Sequence, residues 1–163
     1  MSDKVIRRVV YGFTSVLILL ADLGSKRWFE DLLTSSGPLE MFQGLRFILV
    51  LNHGAAFGFL ASAGGWQRGL FIVLAVVVMG YLGWRLWVAR PEESVLNLGF
   101  ALILGGAGGN LIDRALYGYV VDFIDVYVGN WHWPAFNVAD MAISVGAGVV
   151  ILDSVGLFRK NPS

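Results

Sequence analysis

There is no cysteine among the 163 residues. That removes disulfides, thiol nucleophiles and thiolate metal sites together. Charge is scarce as well, at 15% of residues, where soluble domains carry ~25%. Twelve basic and twelve acidic side chains cancel to zero net charge, so the chain offers neither a basic field for nucleic acid nor an acidic tail. Several catalytic signatures are missing: no H-E-x-x-H zinc helix, no G-x-S-x-G nucleophile elbow, and no G-K-S/T after the glycine run at 105–109. The two histidines, His53 and His132, lack partners at metal-ligand spacing and are expected to be interfacial.

What the chain has in abundance is apolar surface: 56% of residues are hydrophobic and the mean hydropathy is +0.68. A bilayer core of ~30 Å needs ~20 mostly apolar helical residues. Four segments meet that need, at about 9–28, 69–88, 95–112 and 138–158. Isolated spans of this length are helical because lipid satisfies no backbone polar group. The expectation is therefore an all-α membrane protein, one integral domain over 1–163, with four transmembrane helices. Lys4, Arg7 and Arg8 before the first run resemble a signal-peptide start, but Ala21-Asp22-Leu23-Gly24 follows with no small-x-small cleavage pattern, so the span is read as uncleaved.

Lys4, Arg7, Arg8, Arg85, Arg90, Arg159 and Lys160 fall on one side of such a bundle, and Lys26, Arg27, Arg46, Arg68 and Arg114 on the other. The positive-inside rule then places both termini in the cytoplasm. Segments 30–68 and 114–136 are extracytoplasmic. The run Arg46 to Leu51 and the stretch Tyr119 to Tyr127 read as extended, giving a small outer β element. Tyr117, Tyr119, Tyr127, Trp131 and Trp133 suit an interfacial aromatic belt.

Ionisable groups inside a span are costly and usually functional. Asp22 lies ~20 Å along the first helix, in the outer half, with Lys26 four residues on and on the same face. Asn110, Asp113 and Arg114 end the third span, and Asn137 and Asp140 begin the fourth. Nearly every intramembrane polar group thus converges on one leaflet, Asp153 excepted. Simpler readings exist for each. Asp22 with Lys26 is also a helix-end ion pair, and Asn137 an N-cap with Asp140 a first-turn acid. Asp113 reads as an interfacial charge and Asp125 as solvated. The glycine run carries a G-x-x-x-G spacing, expected to mean close helix packing. Two close carboxylates can share a proton, one activating water while the other hydrogen-bonds a carbonyl. Depth alone leaves the pair open among Asp22, Asp113, Asp122, Asp125 and Asp140.

Four blocks, in order, resemble the lipoprotein signal peptidase (signal peptidase II) family. Asp22-Leu23-Gly24-Ser25-Lys26 is similar to its D-x-x-S/T-K, and Asn52-His53-Gly54-Ala55-Ala56-Phe57-Gly58 to its N-x-G-A-A-F. Gly105 through Arg114, then Val120-Val121-Asp122-Phe123, resembles G-G-A-x-G-N-x-x-D-R followed by V-x-D-F; Phe136-Asn137-Val138-Ala139-Asp140 resembles F-N-x-A-D. The resemblance implies an aspartic endopeptidase with Asp122 and Asp140 as catalytic dyad. It implies support or substrate binding by Asp22, Lys26, Asn52, Gly54, Asn110, Arg114 and Asn137, with no cofactor and no metal. The implied substrate is a diacylglyceryl-modified prolipoprotein, cut just before its lipidated cysteine to release the signal peptide. The implied setting is the bacterial inner membrane, with the active site at the extracytoplasmic face. Membrane lipids and a globomycin-type inhibitor are expected partners, nucleic acid is not, and the enzyme is expected to act as a monomer. Three competing readings are a small proton-coupled membrane transporter, a non-catalytic membrane scaffold, and a metalloprotease with carboxylate ligands.

Overall fold

The computed structural model describes residues 3–54 and 65–158. Ala55, Ala56, Phe57 and Gly58 of the second block, Gly64, and the topology charges Arg159 and Lys160 lie outside the described residues. Four helices, α1 (Asp3–Ser36), α2 (Trp66–Trp87), α3 (Ser94–Leu116) and α4 (Val138–Ser154), accompany four strands, β1 (Leu39–Phe42), β2 (Leu45–Asn52), β3 (Val120–Val128) and β4 (Trp131–His132). The strands form one antiparallel sheet in the order β1-β2-β3-β4. This is the expected mostly helical chain with a small β element; the extended reading at 46–51 falls within β2, and that at 119–127 matches β3 from Val120 on.

α3 is the hub, packing against each of the other three helices. Its glycines make this possible. A Cβ on Gly105 would lie 2.5 Å from the Ser15 carbonyl oxygen of α1, and one on Gly106 2.5 Å from that of Ala139 on α4. The G-x-x-x-G spacing therefore marks close packing, as its pattern suggested.

Polar groups go inward and apolar ones outward. Asp22, Lys26, Asn97, Asp122 and Asn137 are among the most deeply buried side chains, while Phe13, Leu20, Val73, Val77, Val145 and Ile151 are exposed. That inversion suits a lipid-facing exterior. By length and composition, Trp66–Trp87 and Pro91–Leu116 are apolar and long enough to cross a membrane. α1 is long but carries Asp22, Lys26 and Arg27, and α4 has 17 residues, ~25 Å of helix.

Two expected boundaries move. The first helix was expected to end near 28 but continues through Ser36. Phe29 and Leu33 extend the helix's buried stripe onto the sheet, where Phe29 stacks on Phe123 at 4.2 Å. The helix stops at Gly37, in the left-handed region at φ 72°, just before Pro38. At the other end, α4 stops at Ser154 rather than running to Phe158. Gly156 is left-handed (φ 85°), its N–H bonds to the Asp153 carbonyl, and the Leu157 N–H bonds back to Leu152, which closes the last turn.

Candidate active site

The buried stripe of α1 repeats every three or four residues through Tyr11, Ser15, Asp22, Lys26, Phe29 and Leu33, so two charged side chains sit where apolar ones would normally pack. A buried ammonium needs partners. Lys26 Nζ lies 2.6 Å from Asp22 Oδ2, 2.9 Å from Asp113 Oδ2 and 2.8 Å from Asn110 Oδ1. Asp22 Oδ1 in turn accepts the Ala139 N–H at the start of α4, at 2.8 Å. Three helices are thereby tied at one depth. Asp113, expected to be an interfacial charge, is instead a buried member of this cluster (4% exposed). Its signal was present in the sequence: the Asn110–Asp113 spacing puts it one turn beyond Asn110.

Three amides project from this base, and donor-only partners decide which way each one faces. Lys26 only donates, so Asn110 turns its oxygen to the ammonium and its NH2 to Asp140 Oδ1, 2.8 Å away. Asn137 caps α4, accepting the Asp140 backbone N–H on Oδ1 at 2.9 Å and donating from Nδ2 to Asp122 Oδ1 at 2.7 Å. Asn52, at the end of β2, accepts the Gly54 N–H and donates to Asp122 Oδ2, both at 2.9 Å. Arg114 donates to the Gly54 carbonyl at 3.0 Å. All nine residues singled out in the sequence thus belong to one connected network. The cap reading of Asn137 holds through Oδ1, while Nδ2 of the same side chain reaches Asp122.

Asp122 is 2% exposed. Burial pushes its carboxyl up to about 7, the Asn52 and Asn137 hydrogen bonds pull it down, and the nearby charge of Asp140 raises it further. A cavity of about 540 Å³ opens beside the pair. Asn52, Asn110, Arg114, Asp122 and Asp140 form its polar side, while Phe136, Met141, Ile143 and Val145 supply apolar wall. That volume suits a ligand of moderate size. One buried carboxyl, Asp122, and one half-buried, Asp140, with converging amide donors beside an apolar groove can hold a water and an amide carbonyl together. Among the described residues, no three acidic or histidine side chains are gathered as metal ligands.

Asp125 and His132 depart from expectation. Asp125 is buried, not solvated: it takes Arg46 Nε at 2.6 Å and His132 Nδ1 at 3.0 Å. Burial acts to raise its carboxyl, but the hydrogen bonds from His132 and Arg46 outweigh that and hold it below the usual carboxylate range. His132 therefore has a carboxylate partner, which its position alone did not reveal. His53 lies edge-on to Tyr119.

Fold and site together define a helical membrane protein in which two aspartates, Asp122 buried and Asp140 half-buried, line one cavity. The family model for signal peptidase (SPase) II matches residues 14–156. The lipoprotein signal peptidase of Photorhabdus laumondii is 48% identical over 141 residues, covering 85% of this chain and 83% of that protein. That of Cupriavidus taiwanensis is 53% identical over 126 residues, 77% of this chain and 70% of its relative. A solved bacterial membrane enzyme superposes with a TM-score of 0.80 at 23% identity, covering 94% of each chain, a likeness of fold. The chain belongs to the signal peptidase II family.

Proposed function

We propose that this protein is a membrane aspartic endopeptidase that removes the signal peptide from diacylglyceryl-modified prolipoproteins, cutting before the lipidated cysteine. The observation that carries this reading is the wiring of Asp122 and Asp140. One amide, Asn137, joins Asp122 to the α4 backbone at Asp140, and a second, Asn110, holds Asp140. In the reaction the pair holds one proton. The ionised carboxylate takes a proton from a water as its oxygen attacks the scissile carbonyl. The protonated carboxyl hydrogen-bonds the developing oxyanion and later gives its proton to the leaving amine. Arg114 and the amides hold the pair in place. No metal or cofactor enters this scheme.

The whole chain acts as one integral domain in the bacterial inner membrane. α1 to α4 are all spans, both termini are cytoplasmic, and the sheet and carboxylate pair lie at the extracytoplasmic face. A cysteine whose diacylglyceryl chains lie in the outer leaflet presents its peptide bond at that depth. Membrane lipids surround the bundle, a globomycin-type inhibitor occupies the cavity, and the enzyme works as a monomer. The transporter reading gains no support from family or fold: apart from Asp153, the buried ionisable groups gather near one end of the helices.

The test is cleavage of a diacylglyceryl-modified prolipoprotein by purified protein in detergent with a chelator present. Wild type is expected to cleave, and folded Asp122→Asn and Asp140→Asn are each expected to lose ~1000-fold or more in kcat. Cleavage at wild-type rate by either variant would sink the dyad, and loss of wild-type activity in chelator would favour a metal.

A further inference from the structure

Asp125 lies outside the dyad and its amides, yet its side chain is only 3% exposed. The sheet supplies its partners. Arg46 stands directly opposite it on β2. His132, on β4, brings Nδ1 within 3.0 Å of both carboxylate oxygens. Because the carboxyl is ionised and accepts only, Nδ1 carries the hydrogen and donates it. The other titratable neighbours are Tyr127, whose ring stacks on His132, and Glu40, bonded to the Tyr127 hydroxyl.

The four residues after His132 matter to the cavity. Trp133, Pro134, Ala135 and Phe136 all line it, and Asn137 follows immediately. This strap is tied at its far end by Phe136, which exchanges backbone hydrogen bonds with Ile124 at 3.1 and 2.9 Å. At its near end the Trp133 N–H reaches the Val126 carbonyl at 2.8 Å. Between these ties sit Ala135 and Pro134, and Pro134 has no amide hydrogen to give. β4 itself makes only two residue pairs with β3, a short dock for a segment that walls a cavity.

We propose that Asp125 is a positioning residue: through its bond to His132 it pins the strap 133–136 against β3, and so sets how tightly the cavity holds the substrate residues beside the scissile bond. The inference rests on reading the cavity as a peptidase site. Its effect falls on binding, because the strap walls the groove while the dyad is held by the hydrogen bonds of Asn110, Asn137 and Asn52, and Asn137, next in the chain, is fixed by its own bonds to Asp122 and the start of α4.

His132→Ala is the informative variant. The His132 side chain is 40% exposed, and its removal leaves Asp125 paired with Arg46, so no charge is orphaned. With a diacylglyceryl-modified prolipoprotein, His132→Ala is expected to raise KM roughly tenfold and leave kcat within about twofold of wild type. His132→Asn, whose amide nitrogen sits near the place of Nδ1, recovers most of the affinity. Amide hydrogen exchange in the same samples is expected to quicken over 131–136 and stay unchanged over 45–52. An unchanged KM, a loss confined to kcat, or unchanged exchange over 131–136 overturns the proposal. A wild-type protein that does not cleave at all overturns the peptidase reading instead, and the exchange measurement still decides whether the strap is pinned.

Discussion

At the scale of single residues, Asp122 and Lys26 make opposite demands on pH and stability. Folding raises the Asp122 carboxyl from 3.8 to about 7. Between those values the native state holds a proton that the unfolded chain has released, so stability falls as pH rises through this window. Above about 7 the penalty is complete, at most about 4 kcal/mol. Asp122→Asn removes it. The variant is expected to melt higher than wild type at pH 8 in detergent, with the gap closing as pH falls toward 4. In the proposed mechanism the pair needs that same proton, so kcat/KM is expected to fall as pH rises through about 7. The charge of Lys26 pulls Asp122 down, so Lys26→Met should move that alkaline limb upward. It also leaves Asp22 and Asp113 buried without the ammonium that bridges them, which costs about 3–5 kcal/mol, readable as a lower melting temperature in detergent.

At the scale of elements, α3 works by having no side chains where the other helices approach. A Cβ on Gly109 would meet the Asp22 carboxylate, and one on Gly106 would press on the Ala139 carbonyl, one residue from Asp140. Gly106→Ala is expected to destabilise by about 1–3 kcal/mol and to lower kcat as well, because the shift carries Asp140 with it. On α2, a Cβ at Gly83 meets nothing within 4 Å. Gly83→Ala is therefore expected to stabilise by about 0.5–1 kcal/mol with activity unchanged. Thermal unfolding beside single-turnover cleavage separates the two. The lengthened α1 belongs to this scale too: its last two turns lie on the sheet through Phe29 and Leu33, which couples β2 and β3 to the helix that carries Asp22 and Lys26.

For the molecule as a whole, the absence of cysteine makes topology directly measurable. Asn130, at the β3–β4 turn, and Glu92, between α2 and α3, are both exposed. In intact cells a membrane-impermeant maleimide is expected to label Asn130→Cys, and to label Glu92→Cys only after permeabilisation. The reverse pattern would invert the bundle and put the carboxylate pair on the cytoplasmic side. Equal labelling of both in intact cells would remove the four-span arrangement.

Much of this protein is local and therefore readable in the chain. Apolar runs set the helices, short β-branched runs set β2 and β3, and position in sequence put Lys26 on the Asp22 face and Asn137 at the cap of α4. Family motifs named the nine residues that the structure then joins. What the sequence left undecided involves partners far apart along the chain. Lys26 meets Asn110 across 84 positions and Asp22 meets the Ala139 N–H across 117. Asp113 was read as an interfacial charge because its partner Lys26 lies on another helix, and Asp125 as solvated because Arg46 lies 79 positions away. The first span was ended near 28 on hydropathy, which does not show that Phe29 and Leu33 pack against Phe123. Periodicity states which face of an element is buried; which groups meet there depends on how helices and strands pack, and only that packing turned scattered carboxylates and amides into a wired pair beside a cavity.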